Sequence, residues 1–321
     1  MARGGGPTDQ DELVVTAAIL YYQQDRSQEQ IARELGVSRP TVSRLLSRAR
    51  ERGYVQIAIV PPSLDTALAR TLREELGLRS VHIAGGVADG ADPGPVLSHQ
   101  VDMALAEADL QAGDVLLVSW GRAMHSLGRC PRPPRPGVVV APALGGNDSD
   151  RPWFQPNEVA RLWAQALQGV PRYLHAPALV STALLRSLQA ESTIRAVLDL
   201  WDCAKVSVVG IGAWPKPDPS YTAAGFPVDD PAIRFAAGDV AGRSFTEDGR
   251  MVDFPSRGAL LGISADQLRQ VPRSIGVAAD QSKAKAVVGA ARAGLIDTLV
   301  TDLGTARAVA ERMASPAALT N

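Results

Sequence analysis

The sequence has few cysteines and no excess of charge of either sign. Cys130 and Cys203 are its only cysteines, and their spacing matches neither a metal site nor a redox motif. Two isolated cysteines in 321 residues favour a reducing compartment, so we expect a cytoplasmic protein. The 33 Lys and Arg residues against 34 Asp and Glu exclude a protein that is basic throughout, such as one that coats DNA. A small basic surface within a neutral total remains compatible with these numbers.

No export or membrane segment is evident either. The mostly apolar run Leu13–Tyr22 is ten residues long, about half of what a helix needs to cross a membrane. It follows Asp9, Asp11 and Glu12 rather than a basic segment, and it lacks the small-residue cleavage site of a signal peptide. We interpret the run as the buried stripe of a first helix.

Signatures of catalysis are missing as well. The sequence contains no HExxH, GxSxG or GK[ST] motif. Gly210-Ile211-Gly212 is not a dinucleotide fingerprint, because Pro215 stands where the third glycine is needed. The four histidines are dispersed along the chain: His82, His99, His125 and His175. The sequence therefore predicts a protein without catalytic residues, metal or cofactor.

The sequence does contain two regions of different character. Its length predicts about two domains, and 45% apolar with 21% charged residues is typical of a globular protein. Residues 1–8 are Gly-rich and expected to be a flexible tail. Residues 9–60 are rich in helical patterns, and Pro61-Pro62 interrupts regular structure. We therefore place a helix-turn-helix domain at 9–60, a linker at 61–63 and a second domain at 64–321.

In the second region short β-type runs alternate with helical segments. We expect strands at Ser80–Ala84, Val115–Ser119, Val138–Ala141, Arg172–His175, Lys205–Ile211, Ser274–Ala278 and Thr298–Thr301. We expect helices at Leu64–Leu76, Val96–Leu110, Asn157–Leu167, Thr182–Leu200, Lys283–Ala293 and Gly304–Met313. This alternation predicts a Rossmann-like α/β domain whose mostly parallel sheet is covered by helices on both faces.

The first region has the signals of two helices joined by a tight turn. Ser27 and Gln30 form a capping box at the start of the first helix, and Gly36 ends it. Ser38 then caps a second helix with Pro40 in its first turn. The inward stripe of the second helix has helical spacing: Val42, Leu45, Leu46 and Ala49. These features together predict a helix-turn-helix.

The outer face of the second helix has the side chains of a DNA reader. Small hydroxyl residues let a helix approach base edges, and arginine can bond guanine or phosphate with two hydrogen bonds. Five arginines and one glutamate lie between Ser38 and Arg52. Apolar and other residues alternate along Tyr54–Val60, which predicts a strand. This strand can form a wing or lead into the linker. The candidate DNA-binding residues are Gln28, Ser38, Arg39, Thr41, Ser43, Arg44, Ser47 and Arg48. The alternative is an ordinary helical hairpin with a solvated face.

Polar residues in the second region follow several predicted strands, where open α/β sheets bind ligands. Trp120-Gly121-Arg122 follows one strand and can hold an anion such as a sugar phosphate. A carboxylate such as Asp239 suits pairs of sugar hydroxyls, and Lys283 stands at a helix start. The candidate effector-binding residues are Gly121, Arg122, Gly145, Gly146, Asn147, Asp239 and Lys283. Each of them can instead be an ordinary turn or surface residue.

The sequence resembles a known family, the SorC/DeoR-type sugar-binding transcriptional regulators. The segment that carries the resemblance best reads AAILYYQQDRSQEQIARELGVSRPTVSRLLSRARERGYVQIAI. The resemblance continues through GDVLLVSWGRAM, ALGGN, AAGDVAGRSFTEDGR and SKAKAVVGAARAGLIDTLVTDLGTA, nearly the whole chain. It implies a DNA-binding transcriptional regulator controlled by a carbohydrate effector (a sugar, a polyol or a sugar phosphate), with operator DNA and further copies of itself, as dimer or tetramer, as partners.

The sequence departs from the family pattern at two places. Ala123 stands where the family usually has Thr, and Ala279-Asp280 stands where it usually has two glycines. A carboxylate at Asp280 opposes a phosphate dianion, so we expect an effector that is less phosphorylated than is typical of the family. The outline of the second region also resembles sugar-phosphate isomerases and deaminases. The alternative function is therefore such an enzyme fused to a DNA-binding module.

Overall fold

The computed structural model of the chain describes residues 9–52, 54–55, 66–87, 90–215, 230–253 and 258–314. The chain divides into two compact units, residues 1–59 and residues 60–321. The expected tail at 1–8, residues 56–60 of the expected strand and the linker at 61–63 lie outside the described residues.

The described residues of the first unit form three short helices: α1 (Asp9–Tyr22), α2 (Gln28–Glu34) and α3 (Arg39–Glu51). Their apolar side chains pack into one core, in which Val14 and Ala17 of α1 meet Ile31 of α2. The predicted inward stripe of α3 is confirmed, since Val42, Leu45, Leu46 and Ala49 are all buried. The apolar run at 13–22 is thus part of a helix in a small helical core.

The second unit is a three-layer α/β structure around one long sheet. Its strands are β1 (Ser80–Ala84), β2 (Val115–Val118), β3 (Val139–Pro142), β4 (Val170–Pro171), β5 (Leu179–Val180), β6 (Ala204–Ala213), β7 (Gly238–Val240), β8 (Arg243–Phe245), β9 (Met251–Val252), β10 (Ala259–Leu260), β11 (Arg273–Ala278) and β12 (Thr298–Asp302). Its helices are α4 (Thr66–Leu76), α5 (Gly94–Glu107), α6 (Arg122–Gly128), α7 (Pro156–Leu167), α8 (Thr182–Ala190), α9 (Ser192–Asp202), α10 (Ala265–Gln270), α11 (Ala284–Arg292) and α12 (Leu303–Ala314).

The main sheet has the strand order β1-β12-β11-β6-β2-β3-β4, and all of these pairings are parallel. Helices α5, α6 and α7 pack on one face, where residues such as Leu116 and Val118 of β2 point. Helices α4, α9, α11 and α12 pack on the other face with Leu117. Neighbouring β2 residues face opposite layers because side chains alternate along a strand. The predicted α/β class and mostly parallel sheet are confirmed.

Two predicted elements differ from the observed ones. The edge strand β4 lies at Val170–Pro171 rather than at Arg172–His175. The side chain of Asn157 replaces a strand partner there, since its Oδ1 accepts from Leu174 N at 2.8 Å and its Nδ2 donates to Leu174 O at 3.1 Å. The long helix expected at Thr182–Leu200 is split into α8 and α9, because Glu191 adopts an extended backbone (φ −71°, ψ 127°) between them.

An antiparallel meander, which the sequence did not predict, extends from the central strand. The last residues of β6 pair with β7, β7 pairs with β8, and β8 pairs with β9. The meander therefore lies at the carboxyl end of the middle of the sheet. Within the part of the chain that the structure describes, no helix is long and apolar enough to span a bilayer.

Candidate nucleic-acid interface and effector site

The predicted capping residues fix the starts of α2 and α3 and the turn between them. Ser27 Oγ accepts from Gln30 N at 3.3 Å, and Ser27 N donates to Gln30 Oε1 at 2.9 Å. Gly36 has a φ of +64°, which glycine adopts without strain. Ser38 Oγ accepts from Thr41 N at 3.3 Å at the start of α3. The turn thus presents α3 in one defined orientation to α2.

The outer face of α3 offers exposed basic and hydroxyl side chains. Arg39, Ser43, Arg44 and Arg48 are exposed, whereas Gln28, Thr41 and Ser47 are half-buried. This face is a surface of the unit and not part of its core.

Some of the predicted DNA-binding groups already have partners within the unit. The hydroxyls of Ser38 and Thr41 lie 2.8 Å apart, so both belong to the helix cap. Arg44 Nε donates to the Pro40 carbonyl oxygen at 3.4 Å. Since that hydrogen bond is long, the guanidinium of Arg44 can exchange it for a base or phosphate at little cost.

The charge of α3 is partly balanced within the unit. Arg52, just after α3, forms an ion pair with Asp11 of α1. Arg39, Arg44 and Arg48 have no carboxylate oxygen of another described residue within 4.0 Å. These three arginines, together with the exposed Arg50, which donates to Ser47 Oγ at 3.3 Å, carry the positive charge of α3.

The candidate effector residues gather at one edge of the main sheet. Strands β11, β6, β2 and β3 are neighbours and parallel, so their carboxyl ends open on the same side. Helix α6 leaves β2 on one face of the sheet and α11 leaves β11 on the other. Such a change of direction opens a crevice between the strand ends, which is where α/β sheets bind ligands. We call this site the crevice; residues 121–122, 145–147 and 280–283 form its rim.

The β2 side of the crevice is built around Gly121. Its φ of +123° lies in a region that favours glycine, and its N donates to the Trp153 carbonyl oxygen at 2.8 Å. Arg122 follows as the exposed first residue of α6. Behind them the buried Ser119 hydroxyl accepts from Gly210 N at 2.9 Å, which ties the ends of β2 and β6 together. The geometry thus places an arginine at the mouth of the crevice.

The β3 side is a tightly packed wall. A Cβ on Gly145 would lie 2.6 Å from the Ala176 carbonyl oxygen, so only glycine fits there. Gly146 N donates to the same oxygen at 2.9 Å. The Asn147 amide is engaged at both ends, because Nδ2 donates to Phe154 O at 2.8 Å and Oδ1 accepts from Ser149 N at 2.9 Å. These residues shape the loop at the crevice.

The two remaining candidates come from different elements. Asp239 of β7 is buried and lies opposite Gly212, at the carboxyl end of β6. Lys283 lies in the short 3-10 helix Gln281–Lys283 that follows β11. The structure therefore brings all of the predicted effector residues to the same edge of the sheet.

Sequence reasoning missed two buried residues that support the crevice. Thr305 Oγ1 donates to the Asp302 carboxylate and accepts from Asp280 N at 2.8 Å. Asp302 ends β12 and Thr305 lies in the first turn of α12, and both are buried. The signal that could have found them is the polar pair Thr301-Asp302, because it ends the last predicted strand at the edge of the sheet where ligands bind.

The chain is similar to known regulators along nearly its whole length. A family model described as "Putative sugar-binding domain" matches residues 60–311, and a MarR family model matches residues 16–62. The chain is 33% identical to the sorbitol operon regulator of Klebsiella pneumoniae, over 93% of this chain and 98% of that protein. It is 31% identical to the deoxyribonucleoside regulator of Bacillus subtilis, over 94% and 98%. The crystal structure of full-length SorC from Klebsiella pneumoniae matches with a TM-score of 0.70 and 32% identity, over 94% and 98% of the two chains.

Proposed function

Because the chain belongs to the SorC/DeoR-type family of sugar-binding transcriptional regulators, we propose that α3 reads operator DNA and that the crevice binds the effector. The chain is a DNA-binding transcriptional regulator that a carbohydrate effector controls. The relatives named above are regulators, so the alternative of a sugar-phosphate enzyme is set aside.

The exposed face of α3 supports the proposed DNA contact. Ser43, Arg44 and Arg48 are the residues that we assign to base edges and phosphates, since they are exposed on one helix that a capped turn holds in place. Arg39 at the helix start is assigned to phosphate. Ser38 and Thr41 cap α3 and so orient it. We assign them to the DNA contact as well, through hydroxyls that keep their bonds in the cap.

The departure of α6 and α11 to opposite faces of the sheet, after the parallel strands β2 and β11, is the observation that carries the proposed effector site. Arg122 and Lys283 supply hydrogen-bond donors from opposite sides of the crevice, and Asp239 supplies a carboxylate at its floor. Gly121 and the loop with Gly145, Gly146 and Asn147 let backbone approach the ligand. Donors together with a carboxylate match the paired hydroxyls of a sugar or polyol.

Control of DNA binding by the effector requires more than one copy of the chain. Half-sites of helix-turn-helix proteins lie about 34 Å apart or at multiples of that distance, and one recognition helix reads only one of them. We therefore assign a dimer or tetramer in the cytoplasm, where operator DNA is accessible, with a linker at residues 61–63. Effector binding favours one arrangement of the copies, and only one arrangement matches the half-site spacing.

One pair of substitutions tests both sites in the full-length protein, with operator DNA selected from a random library. Arg44→Ala should weaken operator binding about 5- to 150-fold, since a base-contacting arginine contributes about 1–3 kcal/mol. Lys283→Ala should leave operator affinity unchanged and raise the effector concentration needed to alter it. Fluorescence anisotropy at fixed salt measures both effects, with sugars and polyols found by thermal-shift screening.

The matched control for Arg44 is Arg33 in the last turn of α2, whose Nε also donates to a carbonyl four residues before it. Arg33→Ala should change operator affinity less than about threefold. Equal losses in the two variants would contradict the assignment of α3. An unchanged effector response in Lys283→Ala would remove that residue from the site.

A further inference from the structure

Asp280 occupies an unusual position in the crevice. It lies two residues after the end of β11, and its side chain is exposed. Its φ of +128° lies in a region that residues with a side chain rarely adopt. Its carboxylate accepts from Ser282 N at 2.9 Å, and its carbonyl oxygen accepts from Lys283 N at 3.0 Å. A strained backbone of this kind persists only where its surroundings enforce it, and such positions cluster at functional sites.

The enforcing contact comes from the buried pair of Asp302 and Thr305. The Thr305 hydroxyl donates its single hydrogen to the Asp302 carboxylate, so a lone pair of the same oxygen accepts from Asp280 N at 2.8 Å. Asp302 is fixed in turn, because its Oδ2 accepts from Gly304 N at 3.2 Å. The position of Asp280 is therefore determined by the sheet and α12 and not by the loop alone.

The charges around Asp280 come from both sides of the crevice. Burial raises the pKa of Asp280, but the hydrogen bonds from Ser282 and the positive charges of Lys283 and Arg122 outweigh it, so that the pKa lies below its ordinary value. The carboxylate is thus ionised at neutral pH. The carboxylate interacts with the positive charges of Arg122 and Lys283, which are the two cations available to an anionic ligand in the crevice. It also accepts a hydrogen bond from Ser282 N.

We propose that Asp280 is a specificity-determining residue that makes the crevice select uncharged sugars or polyols and reject phosphorylated ones. This inference rests on the proposed effector site. A phosphate brought to Arg122 and Lys283 would face a fixed negative charge, and like charges placed together in a binding site are strongly unfavourable. An uncharged ligand faces no such repulsion, and its hydroxyls can donate to the free lone pairs of the carboxylate.

Inorganic phosphate tests the proposal without knowledge of the effector. Its affinity for the full-length protein is measured by isothermal titration calorimetry at constant ionic strength and pH 7.5. Asp280→Gly removes the carboxylate and accepts the observed φ without strain, so this variant should fold at least as stably. Asp280→Asn keeps the size of the side chain and removes only its charge. Both variants should bind phosphate at least about tenfold more tightly than the unchanged protein.

The matched control is Asp199→Asn. Asp199 lies on α9, is exposed and precedes β6, so it belongs to the opposite, amino edge of the sheet. The Asp199→Asn variant should bind phosphate with the same affinity as the unchanged protein. Equal phosphate affinity in the unchanged protein and both Asp280 variants, whether measurable or not, would overturn the proposal. Failure of the proposed effector site is seen separately, as a normal effector response in both Lys283→Ala and Arg122→Ala.

Discussion

A buried ion pair holds α6 against the neighbouring helix, and breaking it should destabilise the second unit strongly. Arg132, after α6, has a side chain with no exposure, and its Nη1 lies 2.5 Å from Asp102 Oδ1 of α5. Its Nη2 donates to the Leu127 carbonyl oxygen at 2.9 Å, and its Cζ lies 4.3 Å from the centre of the Trp163 ring. Asp102→Asn keeps the shape of the side chain and leaves the guanidinium without a counter-charge.

The size of the effect follows from these contacts. Removal of one partner of a buried ion pair costs about 3–5 kcal/mol, because the remaining charge stays out of water. The Leu127 carbonyl oxygen and the Trp163 ring contact the guanidinium before and after the substitution. The unpaired charge therefore keeps two favourable contacts, and we take the lower end of this range. We therefore expect a loss of about 3 kcal/mol in the free energy of unfolding. For a unit of this size that corresponds to a fall in Tm of about 6–12 °C.

Urea unfolding and differential scanning calorimetry at pH 7 measure this loss. The matched control is again Asp199→Asn, which removes an exposed partner of Arg195 and should change stability by less than about 0.5 kcal/mol. Arg132→Met combined with Asp102→Asn should recover part of the loss, because no unpaired charge remains buried. A loss below about 1 kcal/mol in Asp102→Asn, or no recovery in the double variant, would refute the reasoning.

Two further predictions concern stability. Burial lowers the pKa of His82 below its ordinary value of 6.5, so the folded protein takes up this proton at lower pH than the unfolded chain does. The contribution of His82 to stability is therefore present above pH 6.5 and lost as the pH falls below it. The decrease in Tm between pH 7.5 and 5.5 should accordingly be smaller in His82→Gln, and equal slopes in both proteins would contradict this. Gly94→Ala should cost about 1–3 kcal/mol in urea unfolding, since its Cβ would lie 2.0 Å from Ser126 Oγ. Gly86→Ala, where the added Cβ meets no atom within 4 Å, is the control and should be nearly neutral.

The helix-turn-helix could be predicted closely because its signals are local. The capping box of Ser27 and Gln30, the positive φ of Gly36 and the cap at Ser38 depend on residues within four positions of each other. The ion pair of Arg52 with Asp11 could not be predicted in the same way, since it joins two helices that are distant in sequence. Local hydrogen bonds thus determine where α2 and α3 begin and how they are joined. The packing of the helices determines which arginines remain without an ion pair and can contact DNA.

The sheet edge could be predicted as a site, but its geometry could not. Parallel strands put Arg122, Asn147 and Lys283 at one edge whatever the strand order, so the candidate residues followed from periodicity alone. The order of the strands decides which of them are neighbours. Thr305 can accept from Asp280 N only because β12 lies next to β11, and the sequence does not show this neighbourhood. The break between α8 and α9 depends on the extended backbone of Glu191, which hydrophobic periodicity does not show.

The meander that continues β6 has a consequence for the history of this chain. The first part of β6 pairs with β2 and β11, and Ile211, Gly212 and Ala213 pair with β7, which carries Asp239. Because side chains alternate along a strand, gain or loss of one residue in β6 turns every later side chain to the opposite face, except where a bulge absorbs it, as opposite Val115 and Leu116 of β2. Such a change would displace Asp239, which we proposed as the floor of the crevice, while the rest of the sheet remained intact. A new ligand preference at this end of β6 is therefore expected to arise through substitution rather than through insertion or deletion.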